Sequence, residues 1–76
     1  MNAENLQKWD VISFRRSNMN RSVTALIVSD IEQQTFADMT FTSAVVEINN
    51  KRQVLNFNEG VTWKLIGTMN PDKVSA

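Results

Sequence analysis

The segment Val23-Thr24-Ala25-Leu26-Ile27-Val28 most narrows what this chain can fold into. It is short, apolar and bounded by polar residues, which is the pattern of a strand buried inside a sheet. Other segments have the same dimensions. Val61-Thr62-Trp63-Lys64-Leu65-Ile66 alternates, with Val61, Trp63 and Leu65 on an inward face and Thr62 and Lys64 outward. That period of two belongs to a strand with one wet side. Ala44-Val45-Val46-Glu47-Ile48 and Gln53-Val54-Leu55-Asn56-Phe57 flank Asn49-Asn50-Lys51-Arg52, a hairpin with a polar loop. Asn58-Glu59-Gly60 supplies the next turn, so the last three strands are expected to form a meander.

The first half is less decided. Residues 2–8 suit one or two helical turns, with Leu6 and Trp9 three apart on one face. Residues 9–16 put Asp10, Ile12, Phe14 and Arg16 opposite Trp9, Val11, Ser13 and Arg15. Both faces mix apolar and polar groups, and Val, Ile and Phe favour strand over helix. Ser17-Asn18-Met19-Asn20 reads as a turn, because Asn and Ser satisfy nearby backbone groups. Residues 29–40 have two solutions. Ser29-Asp30-Ile31-Glu32 matches a capping box opening a helix near 30–39. Alternatively, Ile31-Glu32-Gln33-Gln34 is a hairpin loop and strand begins at Thr35.

The expected fold class is mainly β: a small antiparallel sheet or five-stranded barrel with a short N-terminal helix. The alternative is α+β with the helix near 30–39. A short helix followed by about five strands is the order and size shared by SH3-like, OB-like and Sm-like domains. The chain carries no residue motif of those families.

Composition sets the remaining limits. A length of 76 residues fits one domain, taken as 1–70 with a loose polar tail at 71–76. A chain this short has a thin core, and without cysteine no disulfide reinforces it. Self-association is a common remedy. Apolar residues make up 42%, as in ordinary folded chains, and eight cations balance eight acids. Zero net charge argues against a dedicated phosphate-backbone binder, although a local patch can override it. No segment approaches the roughly 20 apolar residues of a membrane helix. The N-terminus lacks the basic start and apolar core of a signal peptide, so the cytoplasm is the default compartment. Asn20-Arg21-Ser22 fits the glycosylation pattern, which without a secretion signal is a chance match.

Histidine and cysteine are both absent, which removes the usual proton shuttle near neutral pH and the thiolate nucleophile. Asp30, Glu32, Asp38 and Glu47 could in principle form a carboxylate pair, but a small β domain offers little cleft to desolvate one. Only two glycines are present and no phosphate-loop pattern occurs. The chain is therefore expected to be no enzyme, with no cofactor, no metal and no small-molecule substrate.

Candidate contacts cluster in Phe14-Arg15-Arg16-Ser17-Asn18-Met19-Asn20-Arg21, where three arginines surround one turn. Arginine forks bind phosphates and stack on bases. Lys51 and Arg52 could join them if both hairpins project from the same end. Trp63 reads as core; Trp9, between Lys8 and Asp10, reads as core or as an interface anchor. Met19 would be an exposed apolar residue in a polar turn. The stretch 40–46 is β-prone and uncharged, so as a sheet edge it could pair Thr40, Thr42 and Ala44 with a second copy.

Two functions follow. The first is a self-associating protein-interaction module that binds or occludes a partner protein, a profile common among small accessory or inhibitor proteins of phages and mobile elements. The second is a small-barrel binder of RNA or single-stranded nucleic acid using Arg15, Arg16, Arg21, Lys51 and Arg52.

Overall fold

The computed structural model describes residues 5–58 and 60–70. It contains six antiparallel strands in one open sheet: β1 Asp10–Arg16, β2 Val23–Ile27, β3 Glu32–Phe36, β4 Met39–Ile48, β5 Lys51–Asn56 and β6 Val61–Thr68. The mainly β expectation holds. The tail at 71–76 lies outside the described residues, as do residues 2–4 of the expected N-terminal helix.

Residues 6–8 of that expected helix are not helical. Asp10 draws this segment into a turn: its Oδ2 accepts from Gln7 N at 2.9 Å, while its own amide donates to Gln7 O at 3.1 Å. A carboxylate three residues downstream thus takes an amide that a helix would have used.

Strand β4 organises the sheet. Ser43 pairs with Glu32 of β3 and also with Asn56 of β5, so these two strands lie on opposite edges of β4. Val46 pairs in the same way with Ile27 of β2 and Gln53 of β5. β2 and β3 therefore follow one another along a single edge of β4, interrupted at 28–31. The interruption keeps the ladder partly intact. Val28 N donates to Val45 O at 2.9 Å, and Val45 N donates to the Ser29 hydroxyl at 2.8 Å in place of a carbonyl.

This bond also explains why no helix forms near 30–39. The Ser29 oxygen accepts from β4 rather than capping its own segment, and its hydroxyl donates to Asp30 O at 3.0 Å. The alternative hairpin loop at 31–34 is not found either. The turn is Ala37-Asp38, with φ of 51° and 65°. Two consecutive left-handed residues make the hairpin turn whose twist suits antiparallel strands. Asn49-Asn50, with φ of 52° and 67°, does the same between β4 and β5. The loop is shorter than the sequence suggested, and Lys51 and Arg52 belong to β5.

The expected meander of the last three strands fails at its final step. β6 pairs with β1, from Asp10↔Thr68 to Arg16↔Val61, and no ladder joins it to β5 among the described residues. The 57–60 link carries the chain across. Phe57 N donates to Thr42 O at 2.9 Å, Asn58 Oδ1 accepts from Thr42 N at 2.7 Å, and Asn58 Nδ2 donates to Thr40 O at 2.9 Å. Gly60, at φ 63°, then accepts from Ser17 N. Phe57, just past the end of β5, meets Trp63 of β6 edge-on at 6.1 Å between ring centroids, so the sheet stays open in its pairing while these two rings touch.

Within the fold, Ile12, Phe14, Ala25, Ile27, Ala44, Val46 and Leu55 are buried, with Leu6 closing one side. Val61 and Trp63 pack partly against them, while Leu65 beside the bulge at Val11/Ile12 remains exposed. So few buried side chains leave little reserve. Leu55→Ala is expected to cost about 2–5 kcal/mol, a large part of a small domain's stability, and to lower the urea midpoint accordingly. A midpoint change of a few tenths of that size would mean that Leu55 does not anchor the core.

Candidate interaction surfaces

Strand alternation separates the residues of the basic turn. Phe14 is 1% exposed and forms part of the core, so it is no contact residue. Met19 is half-buried and packs against the same core, contrary to the exposed position expected of it. Arg16 reaches over the Phe14 ring at 5.6 Å, and Arg15 Nη1 donates to Met19 O at 3.1 Å, tying the turn to its own strand. Arg21 and Lys51 are exposed; Arg52 Nε lies 3.5 Å from Glu47 Oε2 across the β4–β5 ladder. An exposed pair of that kind contributes little to stability.

Arg15 does join a cluster that the sequence did not suggest. Register pairs Ser13 with Thr24 and Lys64, and Arg15 with Thr62, so these side chains share the outer face of β2, β1 and β6. Together with Ile66 they line a shallow groove of about 400 Å³. The bulge at Val11/Ile12 leaves Ile66 without a register partner, and it is half exposed. Its lining combines the hydroxyl residues Ser13, Ser22, Thr24 and Thr62, the cations of Arg15 and Lys64, and the apolar Trp63 and Ile66. No single stretch of sequence contains it; three strands assemble it.

The opposite chemistry occurs on β3 and the start of β4, which form a two-stranded ribbon. All five residues of β3 are exposed. Register places Phe36 opposite Met39 and Gln34 opposite Phe41 on one face, with Thr35–Thr40 and Gln33–Thr42 on the other. At the tip, Phe36 is 77% and Met39 59% exposed, beside Asp38 in the turn. From Ser22 to Asn50 the chain carries Asp30, Glu32, Asp38 and Glu47 and no cation. The ribbon is thus apolar at its tip and acidic.

The ribbon also overturns the expectation of a self-association edge at Thr40, Thr42 and Ala44. Thr40 pairs with Thr35, Thr42 with Gln33, and Ala44 with Leu55. On the side of Thr40 and Thr42 that β5 does not reach, Asn58 and Phe57 occupy the backbone groups. Ala44 is buried. β4 runs through the middle of the sheet, where its uncharged, β-prone sequence fits an interior strand.

Trp9 is 38% exposed, with φ at 77°. A bulky residue in the left-handed region is held there by its surroundings. Its amide donates to Ile27 O and its carbonyl accepts from Met69 N, both at 2.7 Å, so its backbone joins β2 to the end of β6. The Lys8 ammonium sits 5.1 Å from the ring centroid. Trp9 shares a cleft with Lys8, Asp30 and Asn70, and exposed Met69 lies alongside. Trp63 is partly buried against the core, in line with its expected role.

Asp10 is fully buried, and its Oδ1 accepts from the Thr68 hydroxyl at 2.8 Å. Together with Gln7 N on Oδ2, this fastens the N-terminal turn and the end of β6 to β1. Thr68→Val keeps the side-chain shape and removes one donor to a buried carboxylate, so a loss of about 1–3 kcal/mol is expected in chemical denaturation. An unchanged midpoint would show that this bond does not fasten β6.

Asp30, Glu32 and Asp38 are exposed and Glu47 faces Arg52. Among the described residues, no helix is long and apolar enough to cross a membrane. No protein family, curated protein or solved structure matches the chain.

Proposed function

We propose that this chain is a non-enzymatic, self-associating protein-interaction module that acts in the cytoplasm by binding or occluding a partner protein. The observation that carries this is the Phe36–Met39 pair, apolar and largely exposed at the tip of a ribbon. A two-stranded ribbon is marginal in water by itself, and a partner that covers its apolar face stabilises it. The sheet is taken as a five-stranded barrel in which β2 and β3 count as one interrupted strand. That body supplies a rigid base and the ribbon supplies the contact. Zero net charge and the absence of histidine and cysteine fit a surface-acting protein.

Phe36→Ser with Met39→Ser changes only exposed side chains, so the thermal midpoint should hold while partner capture is lost. Crosslinking in the producing cells, compared between wild type and this double variant, provides the check. Equal capture by both proteins would overturn the proposal.

Nucleic-acid binding is the second reading, favoured by one observation: Arg15 and Lys64 border a hydroxyl-lined groove. It requires affinity for a labelled single strand that falls steeply with salt and is lost in Arg15→Ala with Arg16→Ala. Binding that survives this double change would remove it.

A further inference from the structure

We infer that the ribbon tip of one copy docks into the β2–β1–β6 groove of a second copy. This rests on the interaction-module proposal and adds to it the identity of the occupant. Two surfaces of the same chain are complementary in both chemistry and charge. The tip presents Phe36 and Met39 beside Asp38, in a stretch with no cation between Ser22 and Asn50. The groove presents the cations of Arg15 and Lys64 together with hydroxyl residues and the apolar Trp63 and Ile66. β1 and β6 carry a single acid between them, Asp10, and it is buried on the inner side.

Docking sets the Asp38 carboxylate between the Arg15 guanidinium and the Lys64 ammonium, where Arg15 can offer two parallel N–H donors. Phe36 and Met39 then cover Ile66. Within one copy this contact is not made: the ladder of Thr35↔Thr40 and Phe36↔Met39 fixes the ribbon, and its tip stays open. The contact joins two different patches, so copies associate through tip and groove rather than edge to edge. It therefore replaces the strand pairing that the sequence of 40–46 suggested.

The test uses the full chain and two variant sets, with circular dichroism and thermal midpoint confirming the fold. The tip set is Phe36→Ser with Asp38→Asn; the groove set is Arg15→Glu with Lys64→Glu. Light scattering across a wide concentration range should show wild type larger than a monomer, and each variant weakened about tenfold or more in association. Mixing the two variants should restore assembly only as far as pairs, because each pair keeps one intact tip-groove contact and has no second intact tip or groove free to extend it.

A monomeric wild type at every concentration overturns the inference, as does a mixture that stays monomeric. If wild type is monomeric but the Phe36→Ser, Met39→Ser protein still loses its cellular partner, the interaction-module proposal stands and only the second copy is excluded. If charge reversal in the groove abolishes binding of a single-stranded oligonucleotide and leaves wild-type mass unchanged, the groove takes phosphate rather than a carboxylate.

Discussion

Strand β4 is paired along both of its edges, and the rest of the sheet depends on that double use. One edge carries β5 through a two-residue turn. The other carries β2 and then β3, with the Ser29 hydroxyl accepting from Val45 N where a strand would offer a carbonyl. Ten residues long, β4 reaches beyond the core at its start, and there the sheet thins to a ribbon. The same strand is thus buried at Ala44 and Val46 and exposed at Met39 and Thr40. Burial at one end pins the geometry that projects the other.

The placing of β6 has an equally specific cause. A meander would place β6 beside β5; instead Phe57 and Asn58 run on along β4 past the end of β5, with Asn58 bonded to Thr42 N and Thr40 O, and the chain leaves β5 with its outer edge unpaired by β6 among the described residues. The left-handed Gly60 and its bond from Ser17 then deliver β6 to β1. At that position Trp63 lies opposite Phe14 in the ladder and Val61 opposite Arg16, which places their inner faces over the core.

Much of this was readable from side-chain periodicity, and the failures have identifiable sources. The segments read as strands at 9–16, 23–28, 44–48, 53–57 and 61–66 each fall on one, with only Trp9, Val28 and Phe57 lying just beyond the strand ends. The β3–β4 hairpin was hidden because Ala37-Asp38 lacks the Asn-Gly or Asp-Gly signature that marks a left-handed turn. Its neighbour Ser29-Asp30-Ile31-Glu32 imitates a helix start, and only a tertiary partner, Val45 N, decides against it. The partner of β6 was equally invisible, since alternation tells which face is buried but not which strand lies alongside. For the candidate surfaces the same limit applies. Arg15 was legible as a surface cation, but Ser13, Thr24, Thr62 and Lys64 converge on it only through the registers of three strands. Phe14 and Met19 look like contact residues when read as part of a polar turn, whereas strand parity turns Phe14 inward and Met19 packs partly against the core.

The join between ribbon and body bears on how such a chain can change over generations. Across the break at 28–31, the ribbon stays joined to the body of the sheet by one backbone bond, Val28 N to Val45 O, and by the Ser29 side chain. Ala37 and Asp38 lie in an exposed turn remote from the buried side chains, so changes of side chain there alter the projecting tip while leaving the core contacts in place.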